Sequence, residues 1–326
     1  MFKNPSKIKI YGTLGPACHD TSLLKEMIAE GMSGVRLNLS HISLANSRQW
    51  LDEWQEASEG SCDLLVDMQG PEMRIGSLSE PVCFNRHDQI SLPVPGNVMQ
   101  FLGEGQEVLL DDGRYTARVI STDAERVRLL MHRDGELSGG KSIKIPGVKN
   151  TLPPLTDHDM SNISLAKDSG VTGVMQPFVR GKDDLIALRR ALDDNGAEDI
   201  KIFAKIENRE GVDKLDEILA FSDWVVIARG DLGNDIPLWE LPVTQRYIAK
   251  KCRKANKPFI VVTQMLASME HSPVPTRAEV SDIDHAVLDG AGGVMVTGET
   301  AVGSYPLEVI RYLSRTINAS CMDLYP

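Results

Sequence analysis

Eight short apolar runs, separated by helix-like stretches, constrain the fold of this chain more than anything else in it. They cover residues 7–13, 34–38, 64–68, 173–178, 202–206, 224–228, 259–263 and 293–297. Most are rich in Val and Ile and show no polar alternation, the pattern of strands buried on both faces. Apolar residues at helical spacing fill most gaps, for instance 21–30, 184–192, 211–219, 241–255 and 278–288. Strand–helix alternation carried through eight strands predicts a (β/α)8 barrel.

The gap between the third and fourth runs is the exception. Residues 75–146 contain short strand-like pieces at 89–92, 107–114 and 116–120, punctuated by Pro93-Val-Pro-Gly96, Asp111-Asp-Gly113 and Ser138-Gly-Gly140. The expectation is a small β-rich domain inserted after strand three, with 1–74 and 147–326 forming the barrel. Setting the insertion aside leaves about 250 residues, the usual size of such a barrel. An insertion at a C-terminal strand end hangs on the face where these barrels keep their active sites, so a lid is expected.

Hydrophobic residues make up 42% and charged residues 25%, ordinary for a globular protein. A net charge of −11 argues against a nucleic-acid polymer or an anionic membrane as partner. No apolar run approaches the roughly 20 residues that span a bilayer. The N-terminus runs into the first strand without a signal-peptide core. Cys18, Cys62, Cys83, Cys252 and Cys321 are odd in number and scattered, which indicates neither a disulfide framework nor a zinc site. The cytoplasm is the expected compartment.

Chemistry concentrates at the strand ends. Glu207 and Asp231 follow successive apolar runs, so in a parallel barrel they exit side by side, a ready site for a hard divalent cation. Lys205 lies two residues before Glu207, on the same face of an extended strand. A metal beside a lysine suits phosphoryl transfer or the stabilisation of an enolate. Arg36, Asn38 and Ser40 are spaced by two and would share one face if extended. Asp67, Thr263-Gln264 and Thr297-Gly-Glu-Thr300 end other strands. Each has a plainer reading: Lys205 and Glu207 as a buried ion pair, Asp67 as a turn cap, His41 as a surface histidine, His285 as a packed helix residue. Six strand ends aiming polar groups at one rim exceed what solvation alone explains.

These stretches resemble the pyruvate kinase family over nearly the whole chain. The matching pieces are Thr13-Leu-Gly-Pro-Ala17, Arg36-Leu-Asn-Leu-Ser-His41, Asp67-Met-Gln-Gly-Pro-Glu-Met-Arg74, Leu110-Asp-Asp-Gly113, Ile145-Pro-Gly147, Lys205-Ile-Glu-Asn208, Ala228-Arg-Gly-Asp-Leu-Gly233, Thr263-Gln-Met-Leu266, Pro275-Thr-Arg-Ala-Glu279 and Gly298-Glu-Thr300. The resemblance implies transfer of a phosphoryl group from phosphoenolpyruvate to ADP, giving pyruvate and ATP through a metal-stabilised enolate. It implies Glu207 and Asp231 as ligands of Mg²⁺ or Mn²⁺. Lys205 is implied as the group that stabilises the phosphoryl in flight, Arg36 as a phosphate contact and Thr263 as a neighbour of the protonated carbon. The amides around Gly230 and Asp231 are implied to hold the substrate carboxylate. Asn38, Ser40, Asp67 and the Met68 carbonyl resemble a potassium site, and Glu72 fits the potassium-requiring branch. Asn38, His41, Arg74 and Lys141 would face the nucleotide.

The chain also departs from the family. It ends where relatives continue into a regulatory domain, so loss of that regulation is expected, with a homodimer through the 275–279 segment. The insertion is short, and Gly139-Gly140 and Ser142 are unusual in it. Ile42, Met68-Gln69, Gln176-Pro177, Asn234-Asp235 and Asp284-His285 differ near the pocket, which points to an altered acceptor or 2-oxo acid. Two further readings use the same residues: a metal-dependent lyase or decarboxylase of a 2-oxo acid such as oxaloacetate, and a non-catalytic paralogue that senses phosphoenolpyruvate or nucleotide. Lys205, Arg74 and Lys141 speak against the first; intact Glu207, Asp231 and Lys205 speak against the second.

Overall fold

A computed structural model describes residues 8–322. Lys7, the first residue of the first expected run, and the segments before it and after Met322 lie outside the described residues. Eight strands close into a barrel: β1 (Lys9–Thr13), β2 (Gly34–Asn38), β3 (Asp63–Asp67), β4 (Gly173–Gln176), β5 (Lys201–Ile206), β6 (Trp224–Ala228), β7 (Phe259–Val262) and β8 (Gly293–Met295). Every neighbouring pair is parallel, in chain order, and β8 pairs back onto β1.

Period-two alternation builds two apolar layers from these strands. Tyr11, Leu65, Met175, Phe203, Val226, Ile260 and Met295 fill the barrel interior, where Phe203 stacks on Trp224 with ring centroids 5.6 Å apart. Their neighbours Ile10, Leu64, Val66, Val174, Ile202 and Val225 pack outward against the helices. Each such buried side chain contributes about 1.5–3 kcal/mol. Gly173 is required by the inner layer, because a Cβ there would come within 2.5 Å of the Phe203 ring. Closure is reinforced past the strand ends. Thr13 N donates to Thr300 Oγ1 at 2.8 Å, and that hydroxyl donates back to Thr13 O at 3.0 Å.

A second compact unit spans 71–153, leaving the described residues through Gly70 and from Pro154 onward to the barrel. It holds a five-stranded antiparallel sheet, in the order Ile143–Lys144, Glu107–Leu110, Tyr115–Thr122, Arg126–Met131, Gln89–Pro93. A two-stranded sheet of Val82–Phe84 and Gly135–Leu137 accompanies it. Here alternation is of the half-buried kind: Val127, Leu129 and Met131 enter the unit's core while Arg126 and Arg128 stay exposed. Asp111, Asp112 and Gly113 all take positive φ (50°, 55° and 82°), the turn their sequence favours. The unit is wider than the expected 75–146. Arg74 bridges to Ser142, Met73, Val148 and Leu152 pack in its core, and Asn150 Nδ2 donates to Pro71 O at 2.6 Å.

Candidate functional site

The C-terminal ends of β2, β3 and β5 assemble a buried row of alternating charge. Arg36, on β2, donates through Nε to Asp67 Oδ2 at 2.8 Å. Asp67, the last residue of β3, also accepts from Lys205 Nζ at 3.1 Å on each oxygen. Lys205 Nζ lies 2.9 Å from Glu207 Oε1. Asp67 and Glu207 are each only 2% exposed. Lys205 and Glu207 meet because β5 is extended, and their spacing of two puts them on one face.

Burial opposes every charge in this row, so the neighbours decide which survive. Desolvation pushes Asp67 upward, yet Lys205 and then Arg36 outweigh it and hold its carboxyl below the usual range. Lys205 is likewise desolvated, but Asp67 and Glu207 hold its ammonium well above the usual lysine value. Glu207 goes the other way. Its ion pair with Lys205 alone would lower it, but burial, followed by the charges of Asp231 and Asp67, pushes it up to about 7. Its second oxygen, Oε2, accepts the Phe178 N–H at 2.8 Å, and Phe178 reaches that position with φ of 53°.

Asp231 sits in the first turn of the helix Arg229–Asp235, which begins directly after β6. Thr263 follows β7 with φ of 78°, and Gln264 continues at 55°. The Thr263 side chain lies against Gly230: a Cβ at Gly230 would come 3.2 Å from Thr263 Cγ2. The structure thus brings Arg36, Asp67, Lys205 and Glu207 together, with Asp231 acting on Glu207 and Thr263 on Gly230.

Other expected residues are placed differently. β2 ends at Asn38, so Ser40 does not continue its face. It lies in the following turn and donates its N–H to Asn38 Oδ1 at 3.2 Å. His41 is exposed in the same turn, with its N–H on Asn38 O at 3.3 Å. Met68 is buried and donates its N–H to Met175 O at 3.1 Å. Sequence reasoning missed the Phe178 amide on Glu207, the Asp159 carboxylate that accepts Gln69 N and Gly70 N, and the Arg229 guanidinium donating to Thr263 O. Asp159 carried a signal in the Thr156-x-x-Asp159 spacing of a capping box, and Arg229 stood in the Ala228-Arg-Gly-Asp-Leu-Gly233 stretch with no contact assigned to it.

The donor chemistry fits a hard cation. Among the described residues no group of three or more His, Cys, Asp or Glu is arranged to hold a metal. Two carboxylates, Glu207 and Asp231, suit Mg²⁺, which commonly takes one or two protein carboxylates and completes its shell with substrate and water. For a monovalent cation, Asn38, Ser40 and Asp67 offer oxygen, although both Asp67 oxygens already serve Lys205 and Arg36.

The sequence matches the family described as "Pyruvate kinase, barrel domain" over residues 5–310. The chain belongs to the pyruvate kinase family. It is 38% identical over 328 residues to a pyruvate kinase of Sporosarcina psychrophila, covering 95% of this chain and 56% of that protein. A Bacillus licheniformis pyruvate kinase is 35% identical over 336 residues, 96% of this chain and 57% of its own length. One from Chlamydia pneumoniae is 34% identical over 329 residues, 96% of this chain and 68% of its own length. The chain therefore spans little more than half the length of the first two relatives. Within the inserted unit of this pyruvate kinase family member, Arg74 pairs with Glu72 and donates to Gly140 O at 2.9 Å, and Lys141 Nζ lies 2.8 Å from Asp111 Oδ1. No helix among the described residues is long and apolar enough to cross a membrane.

Proposed function

We propose that the chain catalyses phosphoryl transfer from phosphoenolpyruvate to ADP, giving pyruvate and ATP. The observation that carries this reading is the buried ammonium of Lys205, kept charged between Asp67 and Glu207 with Arg36 alongside. A lysine held protonated in a water-poor site supplies fixed positive charge where a phosphoryl group in transfer spreads its negative charge. Arg36 binds the substrate phosphate, and Asp67 orients both cations. Glu207 and Asp231 would hold Mg²⁺ or Mn²⁺, which when bound contributes Lewis-acid stabilisation of substrate oxygens. The amides of Gly230 and Asp231 receive the substrate carboxylate. Thr263, packed against Gly230, borders the carbon that is protonated after transfer. Asn38, Ser40, Asp67 and the Met68 carbonyl would hold K⁺, with Asn38, His41, Arg74 and Lys141 assigned to the nucleotide. A homodimer through the 275–279 segment and a cytoplasmic setting complete the proposal.

The test is an assay with phosphoenolpyruvate, ADP and Mg²⁺, with and without K⁺, reading pyruvate and ATP separately. Both products should form and depend on the divalent ion. Lys205→Met should lose phosphoryl transfer while Mg²⁺ binding, measured by calorimetry, survives. Full activity in Lys205→Met overturns the mechanism. Conversion of oxaloacetate to pyruvate without ATP formation would overturn the kinase reading in favour of a decarboxylase.

A further inference from the structure

Two consecutive residues after β7, Thr263 and Gln264, lie in the left-handed region at φ of 78° and 55°. For a β-branched threonine this is a genuine outlier, and it persists only where the surroundings over-determine it. The contacts of Arg229 supply that constraint. Its Nη2 and Nε donate to Thr263 O at 2.7 and 3.2 Å, a fork closed on one carbonyl. Its Nη1 donates to Asp282 Oδ1 at 2.8 Å and lies 2.6 Å from Asp282 Oδ2, with Gln245 Oε1 at 3.5 Å. The Arg229 side chain is 12% exposed, so this arrangement is held away from most solvent. Arg229 is also the first residue of the helix that carries Asp231, and Thr263 packs on the next residue, Gly230.

We propose that Arg229 is a positioning residue: its guanidinium, oriented by Asp282, holds the Thr263 backbone left-handed and so sets the Thr263 side chain over the turn at Gly230 and Asp231. One side chain thereby ties the end of β7, the helix Arg229–Asp235 and the helix Arg277–Asp289 to one another. Lysine cannot substitute fully, because a single ammonium lacks the planar fork that serves the carbonyl and the carboxylate together. The consequence for turnover rests on the proposed role of Thr263 beside the reacting carbon.

Arg229→Met, Arg229→Lys and Asp282→Asn test this in the full chain, by steady-state kinetics and by crystal structures of the variants. Misplacement of a reacting group by about 1 Å costs roughly 100-fold. Arg229→Met should therefore lose about 100-fold in kcat while KM for phosphoenolpyruvate moves less than about threefold. Arg229→Lys should recover part of kcat, and Asp282→Asn, which weakens only the orienting contact, should lose about tenfold. In the Arg229→Met crystal structure Thr263 should relax to negative φ. Retention of the left-handed Thr263 in that variant overturns the proposal whatever the kinetics, as does a loss expressed in KM with kcat intact. If Arg229→Met does not fold, the kcat and KM of Asp282→Asn decide by the same criteria. If the wild type makes neither ATP nor pyruvate, the proposed reaction fails, while the Thr263 conformation in the variants still decides the role of Arg229.

Discussion

At the scale of single residues the site is governed by how burial divides charge. Asp67, Lys205 and Glu207 share one desolvated neighbourhood, yet only Glu207 is driven toward its neutral form, at about 7, by burial and then by Asp231 and Asp67. The sign of the consequence follows. Between the unfolded carboxyl value and about 7 the native chain holds a proton that the unfolded chain has released, so this group's contribution to stability falls as pH rises through that window. A divalent ion binding at Glu207 must displace the same proton. Apparent Mg²⁺ affinity should therefore rise with pH up to about 7, approaching tenfold per unit below it, and then level off. Titration calorimetry at about pH 6, 7 and 8, in buffers of different ionisation enthalpy, measures both the affinity and the released proton. Glu207→Gln should abolish the slope along with most of the affinity. A flat affinity from about pH 6 to 7.5 would show that Glu207 is already ionised or is not a ligand.

Among the elements, the strands were legible because both their faces are buried, leaving uninterrupted apolar runs with no competing helical reading. Their C-terminal ends were not. The apolar runs extend through Phe178, Thr263 and Thr297, whereas β4, β7 and β8 stop at Gln176, Val262 and Met295. Phe178 and Thr263 are apolar or β-branched and read as strand, but tertiary contacts hold both at positive φ, with the Phe178 amide on Glu207 and the Thr263 carbonyl on Arg229. Local preference fails where the site needs a backbone group aimed sideways. Asp159 shows a similar compound role. Besides capping the helix Asp157–Ala166 with Thr156, its fully buried carboxylate accepts Gln69 N at 2.8 Å and Gly70 N at 3.0 Å, fixing the chain just past Asp67. Asp159→Ala strands those donors. It should cost about 3 kcal/mol by urea denaturation, with partial recovery in Asp159→Asn. A loss below about 1 kcal/mol would mean that water replaces the carboxylate and that the anchor is dispensable.

For the whole molecule, the barrel and the insertion could be read from periodicity alone, whereas the surface could not, since exposure depends on which helices neighbour each other. Large apolar side chains remain uncovered in one region of the barrel unit. Trp239 is 81% and Leu288 63% exposed, and Leu238, Val243 and Tyr247 are exposed as well. Trp239, Val243 and Tyr247 recur every fourth residue, and the last two share one face of the helix Leu241–Lys254. That helix contacts Arg277–Asp289, which carries Leu288. The 275–279 turn leads into the second helix, stiffened by the reciprocal Thr276–Glu279 cap. The proposed homodimer would bury this apolar surface, and a stable two-fold interface buries roughly 800 Å² on each side. In the proposed homodimer, a second copy docking on these two helices would cover this surface, and the 275–279 contact opens the same helix that carries Leu288. Sedimentation velocity at about 10 μM should find a dimer. Trp239→Asp and Val243→Asp should each weaken association by more than about tenfold while leaving the unfolding temperature of the monomer nearly unchanged. A wild-type chain that sediments as a monomer at this concentration, or variants that dimerise as well as it does, would remove this face as the contact and the homodimer with it.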